Sequence, residues 1–141
     1  MKTLLAIVCL GVSIACHAQT PDMPAPVKTY KAMADIRSHS CELAGRSFLL
    51  SLSAATKTDS DDCLDKARRG LAEDFKAAIG PLSGRARDAF KEAHIARLGY
   101  LNTLSPNVDE RSAAYAARLR AAREKCDEMW TRFEMEFQAG S

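Results

Sequence analysis

Asp35, His39 and Glu42 recur at i, i+4 and i+7, a spacing that puts two carboxylates and an imidazole on one face of a helix. Such a ladder could hold zinc or copper. Three ligands on one helix make a sparse site, however, and structural zinc takes four, usually with thiolates among them. The expectation is a solvated face with an ordinary ion pair, leaving these three residues as weak metal candidates. His94 shares a face with Phe90, Leu98 and Leu101 and reads as a packed histidine rather than a general base. TDSDDCLD, residues 58–65, gathers four aspartates but lacks the central glycine and closing glutamate of a calcium loop, so capping a helix is its expected job. The chain has no CxxC, no CxxCH, no GxSxG and no glycine-rich phosphate loop. Neither an enzyme nor a cofactor is expected.

The first residues, MKTLLAIVCLGVSIACHAQT, set the compartment in which the remaining groups would work. One basic residue, an apolar run from Leu4 to Ile14 and small residues near Ala15 to Ala18 have the layout of a secretory signal peptide, cleaved after Ala18. The run is too short for a membrane span, which needs about 20 residues, and no later stretch approaches that length. Acylation of Cys16 is a second option, although Ser13-Ile14-Ala15 lacks the leucine usual in a lipoprotein box. Export to the periplasm is the expectation. Of 20 basic residues one, Lys2, leaves with the signal, so 19 face 18 acidic ones. That near-neutral balance gives no reason to expect nucleic acid. Residues 19–27, QTPDMPAPV, carry three prolines and read as an extended linker ahead of a domain over 28–139.

Past the linker β-branched residues are scarce, alanine is abundant, and apolar positions recur at three and four. The periodicity predicts four helices. The first covers about 27–55, ended by TKTDSDD; the second covers 62–79, followed by the turn GPLSG. The third covers 85–104, and a fourth opens at Ser105-Pro106 or at an Asn107/Glu110 cap. The fourth is the most regular, with Tyr115, Leu119, Ala122, Cys126, Trp130, Phe133 and Phe137 on one seam. Short loops between such helices predict an all-α, up-down four-helix bundle.

Within that bundle the cysteines can be paired by height. Cys9 and Cys16 fall in the signal, which leaves Cys41, Cys63 and Cys126, an odd number for an oxidising compartment. With about 1.5 Å of rise per residue, Cys41 and Cys126 fall at comparable depth on neighbouring helices, whereas Cys63 sits almost at the bundle's end. A Cys41–Cys126 disulfide stapling the bundle is therefore expected, with Cys63 as a free thiol that could link two chains. The alternative, Cys41–Cys63, would need the first helix to break near Gly45 and double back.

Cys63, Leu71 and Phe75, then Leu82 and ARDAFKEAHIARLGYL (86–101), resemble small secreted proteins related to lysozyme inhibitors of the LprI type. The match spans about forty residues and lacks that family's tryptophan in the second helix and its closing cysteine near residue 103. The resemblance implies a helical, cysteine-containing envelope protein that binds or inhibits a cell-wall enzyme, and it carries over no functional residues. The functional expectation is an exported, non-enzymatic binding protein of the cell envelope, such as an inhibitor or immunity protein for a cell-wall hydrolase, with another envelope protein as its partner. The competing expectation is a metal- or redox-responsive periplasmic protein using His39 and Cys63.

Overall fold

The computed structural model describes residues 22–140; the expected signal peptide, Cys16 and residues 19–21 of the expected linker lie outside them. Among the described residues the secondary structure is wholly helical: α1 (Ala25–Ser51), α2 (Ala54–Ile79), α3 (Gly84–Thr103) and α4 (Ser112–Ala139). None of these helices is long and apolar enough to cross a membrane. Two antiparallel hairpins, α1–α2 and α3–α4, pack together as an up-down bundle.

Helix α1 starts before the linker was expected to end. Pro24 occupies the cap position and Pro26 the first turn, where a missing N–H costs nothing and a fixed φ suits the helix. Val27 is already in the core. The helix stops at Leu52, whose φ of 50° is left-handed and whose N–H bonds back to the Phe48 carbonyl at 2.7 Å. Ser53 then caps α2, its Oγ accepting the Thr56 N–H at 3.2 Å.

TKTDSDD is thus not a loop but the first two turns of α2. Two of its polar groups are satisfied within the helix, the Thr58 hydroxyl donating to the Ala54 carbonyl and Lys57 pairing with Asp61 four residues on. Ser60 is buried, and among the described residues its hydroxyl has no hydrogen-bond partner. This shift decides the disulfide. With a two-residue turn between the helices, Cys41 lies ten residues before the end of α1 and Cys63 nine after the start of α2. The two cysteines are therefore level, and they are joined with a Cα–Cα distance of 5.5 Å, well inside the bonding range. The expected Cys41–Cys126 bond and free Cys63 thiol are overturned, and no kink at Gly45 is needed. Cys126 is the free, buried thiol, and its Sγ lies 3.1 Å from the Ala96 carbonyl oxygen on α3.

The connection from α3 to α4 is longer than expected. The Asn107/Glu110 bond forms, with the Asn107 N–H donating to the Glu110 carboxylate at 3.3 Å, but it closes a turn ahead of the helix. Arg118, reaching back from α4, binds Glu110 and the Ser105 carbonyl and holds this segment down.

The core follows the helix period. Tyr30 of α1, Phe90 of α3 and Trp130 and Phe133 of α4 form an aromatic cluster, with centroids 5.0 Å apart for Tyr30–Phe90 and 5.1 Å for Phe90–Phe133. Toward the other end the bundle narrows. Gly45 lets the Tyr115 ring and the Leu104 carbonyl press against α1, and the Tyr115 hydroxyl donates to that carbonyl at 2.8 Å.

Candidate functional site

Three helices meet in an open polar cleft. Helix α1 contributes Asp35, Ser38 and His39, α3 contributes Arg97 and Tyr100, and α4 contributes Arg123 and Asp127. On each helix the contributing residues are three or four apart, so they project in one direction. The apolar positions on either side of them pin the three helices together. Asp35, His39, Arg123 and Asp127 are exposed at the rim, and Ser38 and Tyr100 are buried at the floor.

Behind the floor lies Glu42, a buried carboxylate with four donors. Its Oε1 accepts from Nε and Nη2 of Arg46, at 3.1 and 2.8 Å. Its Oε2 accepts from the Tyr100 hydroxyl at 3.1 Å and from Arg123 Nη2 at 2.6 Å. Burial pushes the Glu42 carboxyl up, but the bonds from Arg46 and Tyr100 and the charge of Arg123 outweigh it and hold the pKa below the ordinary value. Burial raises the Tyr100 phenol, with the neighbouring Glu42 charge adding to the rise and Arg123 opposing it. Tyr100 is therefore a fixed donor to the carboxylate rather than a proton carrier. On the near side, Arg97 Nη2 binds Asp35 Oδ1 at 2.7 Å and Lys31 Nζ binds the other oxygen at 3.1 Å. Ser38 Oγ is buried and, among the described residues, has no hydrogen-bond partner.

The face read from sequence is thus real but divided. Asp35 and His39 reach the cleft, and Glu42 is withdrawn behind it. Both carboxylates of that face are paired with cations, Asp35 with Lys31 and Arg97 and Glu42 with Arg46 and Arg123. Among the described residues no group of three or more histidine, cysteine or carboxylate side chains is placed to hold a metal ion. His94 is structural: its Nδ1 is hydrogen-bonded with the Tyr30 hydroxyl at 2.9 Å, and its ring stacks on Phe75 at 4.0 Å. Burial lowers its pKa, so the imidazole is held neutral. Cys63 is half-buried and cross-linked, which removes the thiol that a redox role or a Cys63-linked dimer required.

Arg97, Tyr100 and Arg123 were not singled out as site residues by sequence reasoning. Arg123 had no local signal, its partner Glu42 being 81 residues away. What the cleft can do chemically is bind: it offers donors and acceptors of both charges on a preorganised floor, with one unused hydroxyl. No known family, characterised protein or solved structure matches this chain.

Proposed function

We propose that this chain is an exported, non-enzymatic binding protein of the cell envelope that engages another envelope protein through the cleft between α1, α3 and α4. The observation that carries the reading is the combination of exposed His39, Arg123 and Asp127 with an immobile floor. Arg123 is fixed by Glu42 and Tyr100, so little side-chain freedom remains to be lost when a partner docks. A mixed-charge rim of this kind favours a polar protein segment over a polyanion. The Cys41–Cys63 bond fits an oxidising compartment. A narrower form of the proposal, an inhibitor or immunity protein for a cell-wall hydrolase, draws on the resemblance of residues 63–101 to secreted lysozyme inhibitors.

Tagged exported protein, incubated with periplasmic extract, should retain a reproducible partner that is lost with the paired reversal Arg123→Asp and Asp127→Arg. Recovery of no partner, or of one indifferent to that reversal, argues against the cleft. Assaying lysozyme digestion of cell-wall suspensions with and without the protein tests the narrower form; unchanged digestion removes it for that enzyme.

A further inference from the structure

Helix α1 carries a second periodic seam, on the side facing away from its buried positions. Met33, Ile36, Ser40, Leu43, Ser47 and Leu50 alternate in steps of three and four, the spacing of a coiled-coil contact line. At about 1.5 Å per residue the line is roughly 25 Å long. Its large members are open to solvent: Ile36 is 59%, Leu43 55% and Leu50 86% exposed. Three aliphatic side chains in one register make a row, whereas scattered exposed leucines would need no explanation.

The order of sizes along the row matches a second copy of itself. Take a two-fold axis between residues 41 and 42, with the two α1 helices antiparallel. Ile36 then falls opposite Ser47 of the other copy, Leu43 opposite Ser40, and Leu50 opposite Met33. Small thus meets large at two of the three levels, which allows close packing.

The charges beside the row obey the same axis. Lys66 of α2 borders Ile36 and Ser40. Asp59 lies seven residues earlier, two turns away on the same edge. Because Cys41 is level with Cys63, Lys66 stands at the height of residue 38 and Asp59 at the height of residue 45. A two-fold between 41 and 42 carries one height onto the other, so each Lys66 meets Asp59 of the other copy. Both side chains are exposed, and among the described residues neither has an ion-pair partner within the chain. On the opposite edge His39 and Arg46 come together, and Arg46 is already paired with Glu42.

We infer that the outer face of α1 docks a second copy of this chain, antiparallel and two-fold symmetric about the middle of the helix. The test is the mass of the exported protein by sedimentation equilibrium from micromolar concentrations to about 100 μM. A dimer is expected, converted to monomer by Leu43→Glu and by Leu50→Glu with helical circular dichroism unchanged. Lys66→Asp should weaken association about tenfold, since the pair occurs twice by symmetry, and adding Asp59→Lys should restore it. A wild-type monomer across the whole range overturns the inference. So does a dimer that tolerates both glutamates, or one in which the charge swap fails to restore what Lys66→Asp removed.

Discussion

Nη2 of Arg123 on α4 lies 2.6 Å from Oε2 of Glu42 on α1, so the last helix is tied to the first by an ion pair. The two partners differ in burial. Glu42 is 6% exposed, whereas the Arg123 side chain is 55% exposed. Removing the arginine leaves a carboxylate that still has Arg46 and Tyr100, and water can replace what was lost. Removing the glutamate leaves the Tyr100 O–H without its acceptor, although the phenol oxygen keeps the Arg123 donor at 3.0 Å, and takes the shared carboxylate from two guanidinium groups. Arg123→Ala should therefore cost about 1 kcal/mol or less, and Glu42→Ala about 3 kcal/mol. Urea midpoints for the two variants check this; equal losses would mean that the pair, rather than the buried carboxylate, sets the energetics.

Acid sensitivity should come in two stages. Burial depresses the His94 pKa from 6.5 in the folded chain, so below about 6.5 the unfolded chain takes up a proton that the folded one refuses. Stability is full above that pH and declines as the pH falls. Glu42 is also depressed, from 4.5, and its contribution is lost only as the pH drops below that value through its folded pKa. His94→Phe keeps the stacking on Phe75 but removes the hydrogen bond with the Tyr30 hydroxyl, so it should lose about 1 kcal/mol near pH 7. Its stability should then stay flat just below about pH 6.5, where the wild type slopes. A persistent slope in the variant would assign that stage to another group.

The cysteine arrangement predicts a labelling pattern. Burial raises the pKa of the Cys126 thiol, and the side chain is 4% exposed, so the folded protein should react slowly with iodoacetamide. In a chain beginning at Gln19, denaturation without reductant should expose one thiol, and reduction should expose three. Peptide mapping should find Cys41 joined to Cys63. This bond spans 22 residues, worth about 3 kcal/mol in the chain-entropy model, and it secures only the α1–α2 hairpin. Recovery of Cys126 in a disulfide peptide would contradict the arrangement.

How much was legible follows from how locally each feature is determined. The seam Tyr115–Leu119–Ala122–Cys126–Trp130–Phe133–Phe137 repeats at the helix period through a single element; five of the seven residues are buried, and Ala122 and Phe137 are half-buried against the core. TKTDSDD was misread because threonine, serine and aspartate favour caps and turns. There the Ser53 cap, the Lys57–Asp61 pair and the packing of Ser60 against the bundle overrule that preference. The error propagated, since starting α2 eight residues late moves Cys63 about 12 Å along the axis and out of reach of Cys41. In the cleft, the i, i+4, i+7 face of α1 could be read from spacing alone. The cations that neutralise it arrive from α3 and α4, and no local pattern announces which arginine of many will face which carboxylate.

Two glycines separate close approach of backbone from close approach of a flexible side chain. Either one, replaced by alanine inside a helix, gains about 1 kcal/mol of helix propensity. At Gly70 the new Cβ would fall 2.7 Å from the Arg37 guanidinium. That group can swing away, at the expense of its half-buried pair with Asp74, so the two effects should nearly cancel. At Gly45 the new Cβ would fall 2.5 Å from the Tyr115 hydroxyl and 2.8 Å from the Leu104 carbonyl oxygen. One of these is backbone, and the other is a buried phenol fixed by its bond to that same carbonyl. Relief there requires α1 to move off the α3–α4 connection, so Gly45→Ala should lose about 2–3 kcal/mol net. Thermal melts should show Gly70→Ala within a few degrees of wild type and Gly45→Ala lower by roughly 6–12 °C. Equal melting temperatures for the two variants would show that α1 can shift at no cost, and the tight contact at Gly45 would then not be what sets the spacing of the hairpins.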